Sequence, residues 1–297
     1  MLTSFIITFR ETLEVSLVVG IILSYLVKTK ETKYNPVVYV GIVAGVIASL
    51  IGAMLFNKFA NGFTGIHEQL FEGTLLLLGA FLLTTMILWM MQQKQVVAKM
   101  HEKLAEHLSK AQKFELFFLV FVAVLREGVE TVIYLDAARY VAEESQLYGA
   151  ILGIVAAIVL GYLLFVASVR VDIKKYFTVT SVLLILFAAG LVSHGVHEFE
   201  EVAESFEAEE AAQETATGQG TAVPESEEMS GEVLWNLNPA VNADGSYPLL
   251  HENGHVGAFL KELFGYNPAP TLAELLSYVG YILLVSFLWW RVEHKKE

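Results

Sequence analysis

Arg10-Glu11-Thr12-Leu13-Glu14 interrupts an apolar stretch running from about residue 3 to 27, and Arg126-Glu127-Gly128-Val129-Glu130 interrupts another at about 114–139. Both read Arg-Glu-x-x-Glu, 116 residues apart. Residues three and four apart share a helix face, so each motif gathers one guanidinium and two carboxylates within an arc of about 100°. In a membrane each such group costs about 2.5–3.5 kcal/mol at the bilayer centre. Six of them carry a liability of roughly 15–20 kcal/mol if unpaired. Small residues or Ser and Thr would pack a bundle at far less cost. The motifs therefore read as a site, with the arginines serving as internal counter-ions.

The rest of the chain supports a membrane setting. Of its 297 residues 55% are hydrophobic, and the mean hydropathy is +0.54. Stretches long enough to cross roughly 30 Å of hydrocarbon lie at about 3–27, 36–57, 66–91, 114–139, 147–169, 173–197 and 271–291. The first lacks a basic leader, and Arg10, Glu11 and Glu14 break its apolar run, so it reads as a retained helix and not a signal peptide. The sequence thus predicts an all-α polytopic membrane protein with seven transmembrane helices.

Lysines and arginines orient it, because cytoplasmic loops retain positive charge. Alternating spans put 14 basic residues on one side, among them Lys28, Lys30 and Lys33, five lysines between 94 and 113, and Lys295 and Lys296. Only Lys58, Arg139 and Lys261 fall on the other. This predicts an outer N-terminus and a cytoplasmic C-terminus. Spans one and four then run in opposite directions with the same motif at similar depth, the pattern of an inverted 3+3 repeat with a midplane site. The predicted organisation is a first three-helix repeat (1–91), a cytoplasmic linker (92–113), a second repeat (114–197), an acidic extracytoplasmic loop (198–270), and a seventh helix with a cytoplasmic tail (271–297).

Charge and composition exclude several classes. The formal charge of −13 argues against nucleic acid, and it resides almost entirely in one segment. Residues 198–270 carry 15 acidic groups and a single lysine. With no cysteine there is no disulfide, thiolate site or Cys nucleophile. No Gly-x-x-x-x-Gly-Lys loop is present, so ATP is not hydrolysed by this chain. His197-Glu198 does not open a His-Glu-x-x-His protease motif, because position 201 is glutamate. The chain reads as a transporter and not an enzyme, with no permanently bound cofactor.

Glu11, Glu14, Glu127 and Glu130 form a cluster of hard oxygen donors, compensated by Arg10 and Arg126. Such a set suits a hard di- or trivalent cation without choosing the metal. Paired Arg-Glu-x-x-Glu motifs in spans one and four of a seven-span chain resemble the oxidase-dependent iron permeases, which include the EfeU-like ferric iron transporters. The resemblance extends to Glu200-Glu201-Val202-Ala203-Glu204 after span six, and to Phe264-Gly265-Tyr266 and Pro270-Thr271 before span seven. It implies high-affinity uptake of iron, as Fe3+, across the plasma (inner) membrane. It also implies a separate extracytoplasmic ferroxidase, peroxidase or iron-delivery partner. Ferrous iron, lead or manganese as cargo, or a membrane metal sensor that does not transport, remain the alternatives.

Two further clusters fall near the outer face. His194, His197, Glu198, Glu201 and Glu204 would form one stripe on a helix continuing past span six, and His67, Glu68 and Glu72 open span three. They read as an outer capture site, with Glu72 and His197 deepest. Asp136 and Arg139 read as a structural pair. Glu274 reads as a charge placed at a helix N-terminus. Residues 205–230 are too polar to bury a core and read as mobile, while 256–264 reads as a short amphipathic helix on the outer face. His251 and His255 read as loop residues.

Overall fold

The computed structural model describes residues 1–92, 113–141, 146–165, 173–216, 233–242 and 246–294. Among these residues the regular structure is helical: α1 (Leu2–Lys28), α2 (Asn35–Ala60), α3 (Ile66–Gln92), α4 (Lys113–Val141), α5 (Leu147–Phe165), α6 (Ile173–Ala216), α7 (His255–Phe264) and α8 (Leu272–His294). The linker, predicted at 92–113, lies almost wholly outside the described residues. Helix α7 matches the predicted amphipathic element.

The segment after span six differs from expectation. Helix α6 does not stop near residue 197 but runs 44 residues to Ala216, so the acidic segment begins as helix. Glu and Ala are strong helix formers, which outweighs the polar composition that suggested a mobile chain from 205. Residues 217–230 lie outside the described residues.

Five helical stretches are long and apolar enough to cross a membrane: Thr32–Ala60, Ile66–Trp89, Leu147–Phe165, Phe177–Phe206 and Leu272–Val292. The apolar windows of the first, third and fifth are only 22%, 28% and 11% buried within the protein. Met54, Leu55, Leu152 and Leu283 are exposed. A surface this apolar belongs against lipid, not water. Helices α1 and α4, at 27 and 29 residues, are long enough to span but carry the motif charges.

The packing interlocks the two triplets. Helix α1 packs most extensively on α5, α2 on α4, and α3 on α6, with α1 also meeting α4. Exchanging α1–α3 with α4–α6 maps the first two pairs onto each other and the last two onto themselves. Stripes of small residues make these approaches possible. On α2, Gly41 and Gly45 lie against Val120 and Val124 of α4, while Ser49 meets Gly128. On α5, Gly149 and Gly153 lie against Ser4 and Thr8 of α1, and Ala157 is fully buried against Phe9 and Leu13. Counting from each arginine, Ser4 and Val120 hold the same position, as do Thr8 and Val124. Thr8 also donates from Oγ1 to Ala150 O at 3.0 Å, tying the two helices directly.

Helix α7 is fastened to the bundle at its C-terminal end. Gly265 takes φ +66°, and the Gly265 and Tyr266 N–H groups donate to Lys261 O and Leu260 O, closing the helix. Its Cα rests directly on Gly190 of α6, so a side chain on either would strike the other's backbone. Leu263 enters the main core beside Tyr134, Phe187 and Leu191.

Candidate metal site

The α1–α4 contact brings the two motifs together. One ligand oxygen each from Glu11, Glu14 and Glu127 lies within 4.8 Å of the others, and all three residues are buried. Both oxygens of Glu11, Oε1 of Glu14 and Oε2 of Glu127 are buried without a hydrogen-bond partner. Buried carboxylate oxygens left this way are costly unless a cation or a proton completes them.

The fourth glutamate is arranged differently. Glu130 Oε1 lies 3.1 Å from Arg126 Nε, and its Oε2 accepts from Tyr134 Oη at 3.4 Å. It thus stands outside the group of three. Arg126 also pairs with Glu127, Nη2 to Oε1, at 2.9 Å. Arg10 is completely buried, with its Nε 3.4 Å from Glu14 Oε1.

The two arginines differ in access. The Arg126 side chain is 47% exposed against 0% for Arg10. It faces a cavity of about 380 Å³ lined by Leu82, Thr85, Met86, Trp89 and Glu130. Its guanidinium stacks over the Trp89 ring, 5.2 Å from the centroid, a cation–π contact. Nothing in the motif spacing distinguishes the copies, and neither Trp89 nor Tyr134 was legible as a partner.

The outer residues divide into two groups. Glu68, Glu72, Glu198 and Glu201 line a pocket of about 500 Å³ between the start of α3 and the extended part of α6. Gln69 Nε2 donates to Glu201 Oε2 at 2.7 Å across it. Gly73 and Gly195 let the helices approach there. His67 and Glu204 do not line that pocket. His194 is turned back on its own helix, with Nδ1 3.0 Å from Gly190 O. His197 faces α8, its Nδ1 2.8 Å from Glu274 Oε1.

Glu274 is therefore more than a charge at a helix start. It is buried, forms a reciprocal capping box with Thr271, and accepts from Asn267 Nδ2 at 2.6 Å. Thr271-Leu272-Ala273-Glu274 carries the capping-box signature, a signal available in the sequence. Its contact with His197, 77 residues away, was not. Asp136 and Arg139 pair at 3.2 Å as expected, and Arg139 also reaches Asn57 Oδ1 on α2 at 3.3 Å.

Helices with lipid-facing apolar surfaces around a buried group of carboxylates define a multi-pass membrane protein. The chain belongs to the Iron permease FTR1 family, which it matches over residues 1–291. It is 30% identical over 287 residues to the Ferrous iron permease EfeU of Yersinia pestis, covering 95% of this chain and 91% of that protein. It is 27% identical over 296 residues to the protein of the same name from Escherichia coli O6:H1, covering 97% and 95%. No solved structure matches the chain. The resemblance read from the paired motifs is thereby confirmed at the level of the family.

Proposed function

We propose that this iron permease carries its ion inward across the plasma membrane through a midplane site made by Glu11, Glu14 and Glu127. Glu130 joins the site when Arg126 releases it. The observation that supports this reading is the group of three buried carboxylates, four of whose oxygens accept no hydrogen bond. An all-oxygen, anionic set favours a hard cation, so the cargo is read as Fe3+. An extracytoplasmic ferroxidase or peroxidase would supply that state. The names of the relatives, ferrous iron permeases, favour Fe2+ as the second reading. The acidic pocket at Glu68, Glu72, Glu198 and Glu201 serves as the capture basin.

Radiolabelled iron uptake into proteoliposomes tests both points. Glu11→Gln and Glu127→Gln keep side-chain volume and remove a charge, and each is expected to abolish uptake while insertion stays normal. Uptake above half of wild type in either variant removes that residue from the site. Wild-type uptake that persists with ferric citrate and is lost under ascorbate supports the ferric cargo, and the reverse pattern establishes the ferrous one.

The reading requires seven spans, α1–α6 and α8, with the N-terminus outside and the two triplets inverted. The exchange symmetry of the helix pairs supports it. In a chain without cysteine, Lys30→Cys and Ser246→Cys should label oppositely with an impermeant maleimide. Position 246 should react in intact cells and position 30 only after permeabilisation. Equal labelling of both in intact cells overturns the orientation.

A further inference from the structure

We propose that His197, Glu200 and Glu274 form a second metal site, separate from the central glutamates and from the acidic pocket, that takes a divalent first-row transition cation. It rests on the transport reading only in supposing that such cations reach this face. One ligand atom from each residue lies within 4.8 Å of the others. Unlike the central group, this one includes an imidazole, and unlike the pocket at Glu68 it is built from α6 and α8.

The donors around it hold the ligands in place. Thr271 Oγ1 donates to Glu200 Oε2 at 2.8 Å, and Asn267 Nδ2 donates to Glu274 Oε2 at 2.6 Å. Each carboxylate is thus held through its Oε2. Such outer partners are what orient metal ligands. Glu274 is 2% exposed, and its Oε1 faces His197 Nδ1, itself a buried atom, at 2.8 Å. The other ring nitrogen, Nε2, lies 3.2 Å from Glu201 Oε1. A cation bound at Nδ1 leaves Nε2–H to donate to Glu201 Oε1, which orients the ring.

The chemistry selects the ligand class. One nitrogen and two carboxylate oxygens suit Fe2+, Mn2+, Co2+ or Zn2+ better than Ca2+ or Mg2+, which prefer all-oxygen shells. The site joins the last helix to α6, because Glu274 caps α8 while His197 and Glu200 belong to α6. Its occupancy therefore fastens α8 to the bundle beside the capture pocket.

Co2+ binding to the full chain in detergent tests this, read by its visible d–d absorption and by equilibrium dialysis. A Glu11→Gln/Glu127→Gln background disables the central group. In it, one Co2+ per chain is expected to remain, with an absorption signature of mixed nitrogen and oxygen ligation. His197→Ala and Glu274→Gln, each added to that background, should weaken binding at least about tenfold. The glutamine can still accept from Thr271 N–H, so the start of α8 is retained. Glu68→Gln should leave the signature unchanged. No residual Co2+, or residual Co2+ indifferent to both His197→Ala and Glu274→Gln, overturns the site. Because this readout does not use transport, lost uptake with the Co2+ signature intact would count against the transport reading alone.

Discussion

Two helices carry the same five-residue pattern, and the protein treats their arginines in opposite ways. Arg10 has no exposed surface and sits within 3.4 Å of Glu14. Arg126 is 47% exposed, grips Glu127 and Glu130, and rests on Trp89 beside an open cavity. Identical chemistry at equivalent positions thus has one enclosed and one accessible form. A counter-ion that cannot leave sets the charge of the site permanently. In the proposed site, one that borders an open cavity has room to yield its carboxylates to an arriving cation and reclaim them afterwards. By the proposed orientation, Trp89 lies toward the cytoplasmic end of α3, so the open arginine faces the release side.

The sharpest way to break this contrast is to remove each arginine in turn. Arg10→Met leaves buried carboxylates without their cation, and losing one partner of a buried pair costs about 3–5 kcal/mol. It should lower the thermal midpoint in detergent markedly, whereas Arg126→Met, beside an open cavity, should change it little and should alter uptake instead. Equal thermal losses would show that the two copies are energetically alike despite their different exposure.

A smaller effect sharpens the same point. Cation–π contacts contribute about 0.5–2 kcal/mol, so Trp89→Ala should leave Arg126 held by Glu127 and Glu130 alone, with no aromatic partner to keep when it yields them. The apparent KM for iron should rise several-fold with the protein still folded, and Trp89→Phe should restore most of the wild-type value. A KM unmoved by Trp89→Ala would mean that the stacked contact plays no part in cation entry.

Local pattern carried much of this architecture. The charges of the two motifs, set in apolar runs, stand out in the sequence, and the spacing puts two carboxylates of each motif on one helix face; that Glu127 joins Glu11 and Glu14 depends on the contact of α1 with α4. The amphipathic stretch at α7 was equally plain. The stripes Gly41-Gly45-Ser49 and Gly149-Gly153-Ala157 were present in the sequence, yet small residues only acquire meaning once a partner backbone is seen against them. The asymmetry of Arg10 and Arg126 had no local signal, because it arises from what the neighbouring helices leave uncovered. Glu274 shows the same limit: its capping role is written in four consecutive residues, whereas its place beside His197 depends on how α8 meets α6. In the extension of α6 to Ala216 the helix propensity of Glu and Ala outweighs the acidic composition of the same residues, and composition alone does not say which wins.

The interlocked pairing of α1 with α5 has a consequence for biogenesis. By the proposed topology, helix α1 enters the membrane before its partners, carrying Arg10, Glu11 and Glu14, but the surface that buries its Phe9 and Leu13 includes Ala157. At synthesis rates of about 5–20 residues per second, that surface emerges roughly 7–30 s later. For that interval the three charges have neither α4 nor α5 beside them. Until the second triplet arrives to enclose α1, those charges depend on the insertion machinery, on water or on protons for their partners.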